Sequence, residues 1–226
     1  MNLIKFKILL RGMQNKKTFI LGIIAIVILI GVVWYASSNK DEIIKQTASI
    51  FNLSGENGKV TELDGDFIFG NPSAPVTIIE YSSHLCGACS NFHSQTFPLI
   101  VEDYVKTGKV RIIPRLISHP ALGVAVLCAQ EQNAFLEFNE YIFENIENIQ
   151  TVEAIKEIAS ELGLNKDSFS QCFDSDKYQE QVMKWFEQAE EDEIESTPTF
   201  LVNGQEIVGS QPYITFKNAI ESQLNK

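Results

Sequence analysis

Cys86-Gly87-Ala88-Cys89 falls where an apolar, β-branched run, Val76 to Tyr81, gives way to a helical pattern, and no other feature restricts the fold of this chain so tightly. The run follows Asn71-Pro72-Ser73-Ala74-Pro75 and reads as a buried strand. The helical pattern extends from about Cys86 to Thr107, is closed by Gly108, and leads to a second strand, Val110 to Arg115. Strand, helix and strand in that length make one βαβ unit, hence a parallel sheet with a right-handed crossover. A helix N-terminus presents unpaired N–H groups and a partial positive charge, which favour a thiolate over a thiol. Cys86 at the exposed end is therefore the attackable sulfur. Cys89, one turn into the helix, can close a disulfide with it and act as the shielded resolving thiol. A zinc site would need a second set of ligands, and His84, His93 and His119 show no ligand spacing with the pair, so no metal and no separate cofactor is expected.

Beyond this unit the pattern changes. In the stretch from about 119 to 193, apolar positions recur at helical spacing in Ala121 to Gln132, Phe135 to Ile146, Val152 to Leu162 and Tyr178 to Glu190, so this is an all-helical block. Strands return at Thr199 to Val202 and Gln205 to Val208 around Asn203-Gly204, a strong hairpin signal, and a helix from Pro212 to Leu224 closes the chain. The order is βαβ, helical insert, ββα, an α/β fold.

The first 40 residues hold Lys5, Lys7, Arg11, Lys16, Lys17 and Lys40 and none of the 29 acidic residues. A surface so acidic after that point repels phosphate backbones and argues against nucleic-acid binding. Phe19 to Tyr35 is almost wholly apolar, and at ~1.5 Å per residue it approaches the ~30 Å core of a bilayer. With Arg11, Lys16 and Lys17 just before it, the positive-inside bias leaves residues 1–17 as a cytoplasmic tail and 18–36 as a single transmembrane anchor. A cleaved signal peptide, cut near Ala36 and Ser38, is the alternative; the apolar run exceeds the ~7–15 residues of a usual signal core, which favours the anchor. Either way the domain is exported. Residues 37–60 read as a stalk, and 61–226 as the domain.

The strand ending Ile79-Glu80-Tyr81, the Cys86 to Cys89 pair, Phe92 and His93, Pro98, Cys128-Ala129-Gln130, Ser196-Thr197-Pro198-Thr199-Phe200 and Asn203-Gly204 together resemble the DsbA-like branch of the thioredoxin superfamily over residues 61–226. That branch inserts a helical block between the two halves of a thioredoxin fold. The resemblance implies that Pro198 is a cis-proline opposite the redox pair, with Thr197 offering backbone groups to a substrate strand alongside Gly87 and Ala88. It also implies that Glu80 is a buried acid able to relay a proton to or from Cys89; the plainer reading is a Glu on an exposed strand face.

The resemblance further implies a protein thiol-disulfide oxidoreductase that introduces disulfides into unfolded or cysteine-containing exported proteins. It would be a monomer anchored in the inner (cytoplasmic) membrane, with its catalytic domain in the periplasm or extracytoplasmic space. A quinone-coupled DsbB-like membrane partner would reoxidise it. The same fold run in reverse, as a reductase or isomerase, is one alternative, and a tethered chaperone or binding module with non-catalytic cysteines is another.

Strongly oxidising relatives carry Pro-His between the cysteines, where this chain has Gly87-Ala88. Thiolate stabilisation then falls to the helix end and to neighbours such as His84, read either as a substrate-side contact or as a solvated loop residue, and a less oxidising couple is expected. Cys128 and Cys172 lie on different segments of the insert, so a structural bridge between them is the sensible pairing, with two buried thiols as the alternative. The acidic run Glu187 to Glu195 reads as a solvated helix face that would disfavour acidic substrates near Pro198.

Overall fold

The computed structural model describes residues 61–175 and 177–226. The basic tail, the apolar span 18–36 and the stalk 37–60 lie outside the described residues. Among the described residues, no helix is long and apolar enough to cross a membrane.

A sheet of five strands organises the domain: β1 (Phe69–Gly70), β2 (Val76–Ser82), β3 (Val110–Leu116), β4 (Thr199–Val202) and β5 (Gln205–Val208), in the order β1-β3-β2-β4-β5. Strands β2 and β3 run parallel, and every other pair is antiparallel. All seven residues of β2 are buried, because helices cover both faces of the sheet and the strand can be apolar throughout. On one face Val76, Ile78, Ile112, Phe200 and Val202 pack against Phe92 of α1 (Gly87–Gln95) and Phe216 of the last helix, α8 (Tyr213–Leu224). On the other, Ile79, Tyr81 and Ile113 meet Ala189 of α7 (Gln179–Glu191).

The helix expected over Cys86 to Thr107 is broken. It stops at Thr96, restarts as α2 (Phe97–Ile100) and widens into a π-helical turn over Val101–Val105. Pro98 is the cause: it has no N–H to give to the turn before it, so it is tolerated only in the first turn of a new helix. A second proline, Pro114, sits inside β3. Strand β1 pairs with β3 only at Arg111 and Ile112, so Pro114 lies past the end of that ladder and its missing N–H costs no strand bond on that side. The Asn203-Gly204 hairpin forms as read, both residues having positive φ.

The insert comprises α3 (Pro120–Gln130), α4 (Phe135–Asn145), a 3₁₀ turn (Ile146–Asn148), α5 (Val152–Glu161), α6 (Lys166–Phe173) and α7. Its core gathers Leu122, Leu127, Phe138, Phe169, Val182 and Trp185. Truncating one such aromatic typically costs ~3–5 kcal/mol, since the void it leaves closes only in part. Cys128 on α3 and Cys172 on α6 are joined in a disulfide, with Cα atoms 5.8 Å apart. The sequence reading left α6 out because its eight residues bury only Phe169 and Cys172; its start is nevertheless marked by Asn165, whose Oδ1 accepts from Ser168 N at 2.9 Å.

Candidate redox site

Cys86 is the N-cap of α1. Its backbone is extended, its N–H donates to Ser83 O at 3.0 Å, and its carbonyl accepts from Ser90 N at 3.1 Å, so the sulfur projects where the first N–H groups of the helix are free. Gly87 and Ala88 are exposed, and Cys86 is partly so. Across from it the Thr197–Pro198 peptide is cis, and the Cys86 thiol donates to Thr197 O at 3.3 Å. The ends of β4 and β5 hold that loop: Gly209 N, just past β5, donates to Pro198 O at 2.7 Å, and Thr199 Oγ1 of β4 donates to Ser196 O at 2.8 Å. The C-x-x-C pair and the Thr-Pro turn, far apart in sequence, thus meet at one end of the sheet.

The two sulfurs are in unlike surroundings. Partial burial opposes ionisation of Cys86, but hydrogen bonds from the Thr197 side chain, from Cys89 and from the backbone N–H groups of Cys89 and Ala88 outweigh it, and the pKa falls below its ordinary value. Cys89 is fully buried, and that burial pushes its pKa up to about 12, against smaller pulls from the Ser83 backbone and the Ser82 hydroxyl. Both thiols are unbridged. A partly exposed, acidic thiol beside a buried, basic one suits attack at the first and protection of the second.

Glu80 lies on the buried side of β2, 2% exposed, which removes the exposed-face reading. Its hydrogen bond goes to His93 on α1 rather than to Cys89: His93 Nε2 is 2.7 Å from Glu80 Oε1. The sequence contained a signal for this partner, because Cys89 and His93 are spaced i, i+4 and share a helix face. Ser82, two residues beyond Glu80 and on the same face of the strand, brings its hydroxyl beside the Cys89 sulfur.

His84 requires a correction. It is neither solvated nor turned toward a substrate but 1% exposed, with Nε2 at 2.8 Å from Asn139 Oδ1 and Nδ1 at 3.3 Å from Ser118 Oγ. Burial pushes its pKa down to about 4, so at neutral pH it carries no charge with which to stabilise a Cys86 thiolate. The ring fastens the loop between β2 and α1 to α4, a role that no local pattern announces because Asn139 comes from the insert. The side chain that does face solvent beside Cys86 is Leu85, 68% exposed, which the sequence reading passed over.

The opposite face of the sheet holds a second polar cluster missed from sequence. Arg115 is fully buried and donates to Tyr81 OH at 2.5 Å and to Asp66 Oδ2 at 2.8 Å, while Tyr81 OH donates to Asp192 Oδ2 at 2.5 Å. Asp192 caps the end of α7, from which the chain runs on to Thr197, so the cluster fixes the approach to the proline turn.

Residues 62–222 match the family described as Thioredoxin. A putative protein-disulfide oxidoreductase of Rickettsia typhi is 26% identical, over 62% of this chain and 56% of its own. Disulfide bond formation protein D of Bacillus subtilis is 24% identical, over 72% of this chain and 78% of its own. The chain therefore spans little more than half the length of the Rickettsia relative. Among solved structures, alpha-DsbA1 of Wolbachia pipientis superposes with a TM-score of 0.66 at 27% identity, covering 74% of this chain and 94% of that one.

Proposed function

We propose, since this chain belongs to the thioredoxin family, that it is a DsbA-like protein thiol-disulfide oxidoreductase that donates the Cys86–Cys89 disulfide to exported proteins. The observation that carries this reading is the split between the two sulfurs: Cys86, its pKa lowered, lies at the end of α1 against Thr197 O, and Cys89 is buried behind it. A substrate thiolate attacks the Cys86 sulfur of the oxidised pair, a mixed disulfide forms, and Cys89 leaves and takes up a proton. A second substrate thiolate then attacks the substrate sulfur, and Cys86 departs as a thiolate, leaving both cysteines reduced and the substrate oxidised. The lowered pKa makes Cys86 a good leaving group in that last step, which favours the oxidising direction.

Three groups flank the reacting sulfur. Leu85 supplies an exposed apolar contact, Gly87-Ala88 leaves the approach unobstructed, and the Thr197 backbone lies where an extended substrate segment can run beside it. Charge supports export as well, because the basic residues before the apolar run 18–36 and the acidic bulk after it suit a single-pass anchor with the domain outside the cytoplasm. Reoxidation would fall to a quinone-coupled, DsbB-like membrane partner, and the working unit would be one copy of the chain.

Equilibrating the purified chain with glutathione buffers and trapping its thiols tests the reading. The expected result is a Cys86–Cys89 couple less oxidising than the roughly -120 mV of the strongest oxidant of this type, because Gly87-Ala88 adds no charge or donor to the thiolate. Oxidation of a reduced, unfolded protein should be lost in Cys86→Ser. Absence of oxidation by the wild-type chain, with binding of the unfolded protein kept in Cys86→Ser, would indicate a binding module. A predominantly dithiol pair in cells would reverse the direction of the reaction.

A further inference from the structure

Two segments face each other across the reacting sulfur: helix α1, with Cys86 at its N-terminus, and the Thr197–Pro198 turn. At their reactive ends the Cys86 thiol donates to Thr197 O at 3.3 Å, and the Thr197 side chain favours the thiolate. Both contacts need a free sulfur, because a Cys86 bonded to Cys89 or to a substrate has no S–H to give and no charge to hold. The loop 209–211, between β5 and α8, joins the same two segments without using the sulfur. Gly209 N donates to Pro198 O at 2.7 Å, Asn91 Nδ2 donates to Ser210 Oγ at 2.8 Å, and Thr96 Oγ1, at the end of α1, donates to Gln211 O at 3.2 Å. Gln95 Nε2 donates to Asn91 Oδ1 at 2.8 Å, which leaves the Asn91 amide N–H turned to the loop. Gly209 has φ +81°, and a Cβ there would meet nothing nearer than Gln211 Nε2 at 3.8 Å, so backbone conformation rather than space calls for glycine.

We propose that the loop 209–211 is a strap that holds the Thr197 backbone in register with Cys86 while that sulfur is bonded, with Thr96 and Asn91 as its positioning residues on α1. This rests on the reading of Cys86–Cys89 as the redox couple. An incoming polypeptide meets the oxidised protein and lies as an extended segment along the Thr197 backbone, at a moment when the sulfur no longer ties the turn to α1. The strap then supplies the register. Its two anchors on α1 differ in strength. Thr96 is 5% exposed, and removing its hydroxyl leaves Gln211 O short of a donor in a half-buried place. Asn91 is exposed, where water can replace its amide, so its bond counts for less. Both act through the loop and not on a reacting atom. A small dithiol draws nothing from the strap, because it attacks the sulfur without lying along the turn.

The test compares the full chain with Thr96→Val, Thr96→Ser and Asn91→Ala, starting from the oxidised protein and reading KM and kcat for a reduced, unfolded protein beside the rate of reduction by a small dithiol. Thr96→Val should raise KM about fivefold or more with kcat kept within about twofold, Asn91→Ala should raise it about threefold, and Thr96→Ser, which restores the donor, should return it to the wild-type value. Dithiol reduction should stay within about twofold in all three, as should alkylation of reduced Cys86, where the free sulfur itself ties the turn to α1. Asn91→Ala alters only the surface and decides alone if Thr96→Val does not fold. An unchanged KM, a Thr96→Ser protein as impaired as Thr96→Val, or a dithiol rate that falls in step with the rise in KM overturns the strap. Failure of the wild-type chain to exchange with the dithiol overturns the redox reading beneath it instead.

Discussion

Cys86 and Cys89 stand as separate thiols at the mouth of α1, while Cys128 and Cys172 are joined between α3 and α6 within the insert. Both pairs use the same element, and their surroundings give them different work. The first pair straddles a boundary, with one sulfur at the surface among helix N–H groups and the other in the core. The second has both members buried, at 1% and 8% exposure, on two helices whose apolar faces already meet. A disulfide whose two sulfurs differ strongly in acidity is easily opened from one side; one enclosed among Phe138, Phe169 and Leu127 offers no such side.

The largest effect should come from separating the two roles by substitution. Cys86→Ser is expected to reduce disulfide transfer to background while leaving the melting temperature nearly unchanged, whereas the double change Cys128→Ala and Cys172→Ala should leave transfer intact. That double variant should instead lose about 4 kcal/mol in denaturant unfolding, the chain-entropy value for a loop of this length, since the bridge restrains the unfolded chain. Loss of transfer in the insert variant would break the comparison.

The next effect tests the seam between the two regions. His84 lies in the redox loop and its Nε2 meets Asn139 of α4, so it belongs to both. Its pKa is lowered to about 4 from an ordinary 6.5, so in the unfolded chain it binds a proton over a range of pH where the folded one does not. Stability should therefore fall as pH drops through 6.5 toward about 4, by roughly 3 kcal/mol for this group. His84→Gln, which keeps a donor for Asn139 but cannot titrate, should remove most of that acid limb in urea unfolding curves. An unchanged limb would place the acid sensitivity elsewhere.

The strand-helix-strand unit, the C-x-x-C at its joint and the hairpin were legible because each is written in neighbouring residues: periodicity, a proline-rich boundary, Asn203-Gly204. What escaped depends on contacts between distant segments. Strand β1 is two residues long and exists only because Phe69 and Gly70 lie along Ile112 and Arg111. His84 read as a loop residue because the loop is local and its partner, Asn139, is not. Arg115 stood within an apparently apolar strand, and its burial makes sense only once Asp66, Tyr81 and Asp192 converge on it. Glu80 is buried rather than on an exposed strand face, and its hydrogen bond to His93 joins β2 to α1.

The smallest effect sharpens the account of why Cys86 and Cys89 differ. Of the groups that lower the Cys86 pKa, the Thr197 side chain contributes most, ahead of Cys89 and the N–H groups of Cys89 and Ala88. Thr197→Val keeps the branched shape and the backbone carbonyl that accepts from the thiol at 3.3 Å, and removes only the hydroxyl. With one hydrogen bond to the thiolate gone, its pKa should rise toward the ordinary cysteine value. Alkylation of reduced Cys86 at neutral pH should then slow by roughly threefold, and the difference should vanish at alkaline pH, where both proteins are fully ionised there. Cys89 should remain unreactive throughout, since burial, the dominant influence on it, is untouched. A rate that does not change would assign the acidity of Cys86 to the helix end alone, making the contrast between the two pairs one of backbone placement rather than of the loop that faces it.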